Sequence, residues 1–196
     1  MRAGQFQQAA LALQLVRRLE PTHPSVDAAL GEVLLHLGQM GDARTLLSAA
    51  ARRMQATEGI AGTQDGQAAL THLSDLLLKA DLASDAARVL EFLVRSDTEA
   101  GLDRLRQLSE ARFRADDLKG GRAASRRVLR HDPMCIASIH NLALVSLLEG
   151  HLSEAAGWIA RGRAIDRSDD GLRQLRTRLF GARAAQWLRG IVGLRS

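Results

Sequence analysis

Apolar residues fall at helical spacing along most of the chain. Over 24–57, Leu30, Val33, Leu34 and Leu37 recur three and four residues apart. After Gly38 the pattern resumes as Met40, Ala43, Leu46, Leu47 and Ala50. Such spacing places each set on one face of a helix, so the segment predicts two amphipathic helices joined by a short turn. Pro24 and Ser25 open the first helix, because a proline is tolerated in a first turn. Gly38 closes it as a glycine beyond a helix C-terminus does. Asp42 lies near the start of the second helix, where an acidic group suits the helix dipole.

This two-helix unit repeats. Ala9, Ala43, Ala86, Gly121 and Ala155 lie at intervals of 34, 43, 35 and 34, and Val16, Ala50, Leu93, Val128 and Gly162 keep the same four intervals. Two columns sharing one irregular spacing define a helical repeat, an architecture that works by offering an extended surface. The predicted fold class is all-α, an α/α superhelical solenoid of stacked antiparallel helix hairpins over 1–169. Within it lie the second helix of a first repeat (1–21) and repeats over about 24–57, 67–100, 102–135 and 136–169. A loop over 58–66, with three glycines in nine residues, takes up the long interval.

The middle units depart from the pattern. Asp81 and Asp116 stand in the turn column of Gly38 and Gly150, Gly121 replaces the packing alanine, and Arg112 falls in the column of Leu34 and Leu77. Looser stacking is expected there. The chain opens inside a unit, so Phe6, Leu13 and Val16 are expected to lack a covering helix and to drive homo-oligomer formation through the N-terminal end. Residues 170–196 read as a basic capping helix and tail. Leu172, Leu175 and Leu179 form its apolar face, Gly181 is expected to interrupt the helix, and Ala184, Leu188 and Ile191 continue a stripe near Trp187 in a looser segment.

Leu30-Gly31, Leu34, Gly38, Ala43, Leu47 and Ala50, matched by Leu142-Ala143, Gly150, Leu152, Ala155 and Ile159, resemble the tetratricopeptide repeat family. The resemblance covers roughly residues 1–169. It implies that the first helix of each hairpin lines a concave groove holding a protein or peptide partner. The repeat spacing makes Ala29, His72, Gln107 and Asn141 equivalent, flanked by Ala28, Thr71, Arg106 and His140. Further columns are Glu32, Asp75, Glu110 and Leu144, and His36, Lys79, Arg114 and Leu148. In family members that grip extended peptides, an asparagine in the column of Asn141 bonds the peptide backbone. An amide donates and accepts together, which suits a peptide group, and His72 and Gln107 are candidates for similar work. Glu32–His36, Asp75–Lys79 and Glu110–Arg114 are acid-to-base pairs four residues apart, read either as helix support or as a mixed-charge groove wall. Leu144, Leu147 and Leu148 would supply an apolar floor, and Arg106 and Arg114 would favour acidic partner residues.

Composition agrees with helices. Hydrophobic residues make up 46% and aromatics only 3%, with no tyrosine, which fits close helix packing better than a sheet sandwich. The single cysteine, Cys135, can form no intramolecular disulfide and reads as a packing residue. No signal peptide or run of about 18 apolar residues appears, so a cytoplasmic location is expected. Residues 171–196 hold six arginines and no acid, while the whole chain carries a net charge of +5. The high pI therefore belongs to the tail. A second reading follows, a surface-attached adaptor whose residues 182–196 touch anionic membrane. Nucleic acid is the less favoured surface, because stacking aromatics are few. A third reading is the partner-recruiting arm of a larger multidomain enzyme. No phosphate-binding, dinucleotide-binding, nucleophile-elbow or zinc-protease motif is present, so neither catalysis, cofactor nor metal is expected.

Overall fold

The computed structural model describes residues 2–21, 23–96 and 101–193. Among them there are ten α-helices, one 3-10 turn and no strand. In chain order the helices are α1 Arg2–Leu19, α2 Pro24–His36, α3 Met40–Ala56, α4 Gln64–Lys79, α5 Ala83–Ser96, α6 Leu102–Arg114, α7 Leu118–His131, α8 Ile136–Leu148, α9 Leu152–Ile165 and α10 Asp170–Gly193. They form two compact units, Met1–Asp117 and Leu118–Ser196. The division falls between α6 and α7, inside the repeat expected over 102–135.

In the first unit α2 packs on α3 and α4 on α5, with α1 against α2 and α6 against α5. Leu30, Leu34, Ala43 and Leu46 bury together with Ala10 of α1. Leu70, Leu73, Leu77, Leu90 and Leu93 are fully buried in the α4–α5 pair. These are the positions that share a helical face in the sequence, so the apolar period fixes which sides meet.

The turns explain the pitch. Gly38 and Gly150 adopt positive φ, and so do Asp81 and Asp116, at 59° and 60°. At each, the amide one residue later donates to a carbonyl five residues back. Gln39 bonds Leu34 at 2.9 Å, Leu82 bonds Leu77 at 2.8 Å, Asp117 bonds Arg112 at 2.9 Å and His151 bonds Ser146 at 2.8 Å. This is the Schellman arrangement, which satisfies carbonyls that the helix leaves free. The aspartates therefore keep the turn that glycine makes in the outer repeats.

The expected loop over 58–66 is shorter than its glycines suggested. The 3-10 turn spans Ile60–Gly62 and α4 already begins at Gln64. The Thr63 side chain caps α4 by accepting from the Gly66 amide at 3.1 Å. Gly66 is a helix residue chosen for space, since a Cβ there would lie 1.9 Å from the Ile60 carbonyl oxygen.

At the N-terminal end the expected exposure is corrected. Leu13 packs against the α2–α3 cluster, and Phe6 stacks on the His36 ring with centroids 4.5 Å apart. Val16 is exposed, but the open stripe is Leu11, Leu15 and Leu19, four residues apart on the opposite side of α1. A buried carboxylate ties this end together. Asp27 of α2 is 1% exposed, Arg53 of α3 donates to its Oδ2, and Arg17 Nε of α1 lies 2.8 Å from Oδ1 as an ion pair.

In the second unit α7 packs on α8, α8 on α9, and α10 on α8 and α9. Ala143, Ala155 and Ile159 share a core with Leu175 and Leu179 of α10. Gly162 allows the close approach, because a Cβ there would meet Leu172 Cδ1 at 2.6 Å. Gly181 does not interrupt α10, which runs unbroken to Gly193. An exposed glycine costs a helix only about 1 kcal/mol, and arginine- and alanine-rich flanks tolerate that. Cys135 is buried, as a packing residue is.

Candidate functional site

The first helices of the first unit present a row of polar side chains that bond from repeat to repeat. Glu32 of α2 meets His72 of α4, with Oε2 and Nε2 3.0 Å apart. One repeat on, Asp75 of α4 accepts from Nε2 of Gln107 on α6 at 3.1 Å. The register explains both contacts. Glu32 and Asp75 share one column and His72 and Gln107 another, so stacking sets each acid beside the next repeat's donor.

These bonds replace two of the expected pairs four residues apart. Glu32 turns to His72, and His36 stacks on Phe6. Asp75 turns to Gln107. Glu110 and Arg114 do approach, at 3.8 Å, but Arg114 is mainly held elsewhere. It donates to the Leu78 carbonyl at 2.8 Å and lies 3.6 Å from Asp81. Arg106 is exposed and pairs within its own helix with Asp103 at 3.1 Å. Lys79 is exposed at the end of α4.

A depression of about 630 Å³ lies along this row, lined by Ala68, Thr71, His72, Asp75, Asp103, Arg104 and Gln107, with Gly101 at its edge. Arg104 and Asp103 were not singled out in the sequence. Arg104 reaches back to the previous repeat, donating to Gln67 Oε1 at 3.1 Å. Its position near the start of α6, one turn before Gln107 and Leu108, is the available signal. The wall is thus an array of donors and acceptors with a small apolar patch at Ala68, and it offers no nucleophile–base pair.

In the second unit His140 and Asn141 are half-buried on α8. The His140 ring lies against the start of α10, where a Cβ on Gly171 would sit 3.0 Å from Cδ2. Leu144 packs onto the α8–α9–α10 core rather than forming an open floor, as Leu147 does. Leu148 is exposed.

Arg112, the charge in an apolar column, has its own explanation. Its guanidinium donates to Glu91 of α5 at 2.6 Å and to Asp117 at 2.7 Å. Burial opposes ionisation of Glu91, but the hydrogen bond and charge of Arg112, followed by those of Arg95, outweigh it and hold the carboxyl below its ordinary range. Burial likewise opposes the charge on Arg112, and Glu91 and Asp117 reverse that, raising its pKa. In the second unit, burial of Glu154 is offset by the Trp158 indole, Arg122 and Arg126, so its pKa is also lowered. Among the described residues, no group of three or more histidine, cysteine, aspartate or glutamate side chains converges to hold a metal ion. None of the described helices is long and apolar enough to cross a membrane.

Comparison with known proteins bears on the fold. Residues 1–64 match the model of a tetratricopeptide repeat. No curated protein sequence matches the chain. Among solved structures, the MamA fragment 41-end from Desulfovibrio magneticus RS-1 is 22% identical, covering 86% of this chain and 90% of its own, with a TM-score of 0.55. YrrB, described as a TPR protein with an unusual peptide-binding site, is 13% identical, covering 89% of this chain and 84% of its own, with a TM-score of 0.65. A tetratricopeptide repeat protein from Parabacteroides merdae is 14% identical, covering 92% of this chain and 68% of its own, with a TM-score of 0.60. At these identities the structures are alike in fold.

Proposed function

We propose that this chain, whose residues 1–64 match a tetratricopeptide repeat model and whose fold is like that of tetratricopeptide repeat proteins, is a non-catalytic scaffold of that family that holds a protein or peptide partner. The partner would lie along the first helices of the first unit. The observation behind this reading is the repeat-to-repeat row Glu32–His72 and Asp75–Gln107 beside the depression that includes Arg104. An extended peptide presents one donor and one acceptor per residue. His72, Gln107 and Thr71 offer both kinds of group at the spacing of successive helices. Arg106 and Arg114 at the margin favour acidic partner side chains, as electrostatic complementarity selects a partner more than it tightens binding. Asn141 and His140, half-buried on α8 of the second unit, offer polar groups of the same kind.

Affinity capture from the source cells, with identification by mass spectrometry, supplies the partner. Calorimetry of that partner against His72→Ala, Gln107→Ala and Arg106→Glu then tests the site. All three should melt as the parent does, because each side chain reaches solvent. Binding should weaken about tenfold per variant, the effect expected when a partner's polar group loses its mate. Unchanged affinity in all three variants, with parental melting, rejects this row as the site.

A further inference from the structure

The C-terminal half of α10 is built differently from the half that caps the second unit. Leu172, Leu175 and Leu179 face the core and are buried. From Phe180 onward no described side chain of the helix is buried, yet the helix continues. Phe180 is 78% exposed, Trp187 67% and Leu188 55%. With Ala184 they occupy positions four, three and one residue apart, a single stripe on a helix turning 100° per residue. That stripe is rotated from the buried face by roughly 130°, so it points away from the core that the same helix covers. Arg183 is exposed at its edge, and Arg178 and Arg189 are exposed on the other side. The segment 171–196 contains no acidic residue.

We propose that this half of α10 docks on an anionic lipid surface, lying in the plane of the headgroups. Phe180, Ala184, Trp187 and Leu188 enter the boundary between headgroup and acyl chain. Arg183 extends its stem along the apolar face to reach lipid phosphate or carboxylate, as long basic side chains do at interfaces. A helix with a Trp, Phe and Leu face and an arginine face has the make-up of an interfacial helix. It does not span, since no described helix is apolar enough to cross. A second copy of the helix is a poorer occupant. Pairing two such segments sets arginine beside arginine with no acid to relieve it, whereas an anionic membrane brings the missing charge. A nucleic acid would neutralise the arginines but leave Leu188 and Ala184 without an apolar partner.

The intact chain is floated with phosphatidylcholine vesicles that contain about a third phosphatidylserine, and with phosphatidylcholine alone. The chain should rise with the anionic vesicles at low salt, lose binding as salt is raised, and stay behind with the neutral ones. Arg183→Glu/Arg189→Glu and Phe180→Ser/Trp187→Ser should each lower partitioning by at least about tenfold. The indole emission should shift to the blue on binding, and Trp187→Phe should abolish that shift while Trp158 remains. The altered side chains are exposed, so helical melting should be unchanged; the single variant Trp187→Gln keeps the test readable if a double variant melts early. Failure to float at low salt overturns the proposal, as does equal flotation with neutral vesicles. Flotation unaffected by both double variants also overturns it. Tighter binding to a short DNA duplex than to anionic vesicles would assign the face to nucleic acid instead. Sedimentation showing a dimer that shields Trp187 would assign it to a second copy.

Discussion

The hairpins α2–α3 and α4–α5 reverse direction through the same set of hydrogen bonds, yet one turns on Gly38 and the other on Asp81. Gly38 has open space around the position where a Cβ would sit, so its only contribution is conformational freedom at φ 74°. Asp81 holds the same left-handed conformation at a cost, but its carboxylate lies 3.6 Å from Arg44 of the repeat before and 3.6 Å from Arg114 of the repeat after. One turn is relaxed and electrostatically silent. The other is strained and links its neighbours. The hairpins also start differently, with Pro24 in the first turn of α2 against the Thr63 cap and the Gly66 contact in α4. Repeats of one fold can thus keep a backbone while exchanging the chemistry at each joint.

The start of α4 offers the largest test of that difference. Gly66→Ala would force a methyl into the Ile60 carbonyl and should destabilise the protein by about 2–3 kcal/mol. A change in the first turn of the other hairpin, Ser25→Ala, should cost less than about 0.5 kcal/mol. Chemical denaturation of both variants gives the contrast, and similar losses would mean that the two starts are equivalent.

The turns come next. Gly38→Ala should destabilise by about 1 kcal/mol because a Cβ disfavours the left-handed region. Asp81→Gly should do the reverse, gaining about 0.5 kcal/mol, since strain is relieved and the lost ion pairs are exposed and weak. Thermal melting of the two variants should move in opposite directions. Losses of the same sign would show that the ion pairs of Asp81 outweigh its strain.

The smallest effect is acid dependence in the α4–α5 hairpin. Glu91 is held below its ordinary value of 4.5 in the fold, so its contribution is complete at neutral pH and disappears as pH falls through the lowered value. Glu91→Gln should cost less than about 1 kcal/mol at pH 7. The gap from the parent should close in acid below the ordinary value. A gap that is constant with pH would show that the Arg112 and Arg95 contacts do not depend on charge.

Much of this arrangement is readable in the residues. The paired columns of 34, 43, 35 and 34 put Ala43, Ala86, Gly121 and Ala155 at buried positions of α3, α5, α7 and α9, because packing needs a small residue where two helices cross closely. The polar side chains are harder. Pairing Glu32 with His36 applies a rule for an isolated helix, whereas in the fold Glu32 finds His72, forty residues away. The columns hold that answer only once the repeats are stacked in register. Gly181 misleads for a related reason: a helix already anchored by Leu172, Leu175 and Leu179 absorbs a residue that would weaken it in isolation. Arg104 was missed because no repeat column marks it, and its partner Gln67 lies on another helix.

The buried Asp27 bears on how the molecule assembles. Stacked repeats ordinarily gain stability one neighbour at a time, which lets a terminal element fray independently. A carboxylate 1% exposed, held by Arg17 from one helix and Arg53 from another, does not permit that. If α1 leaves, half of the counter-charge leaves with it and an ion inside the protein stands undercompensated, a state that costs several kcal/mol. The first three helices are therefore expected to open together as one cooperative block. Amide hydrogen exchange along α1 should report the opening free energy of that block rather than the gradient of a loose end.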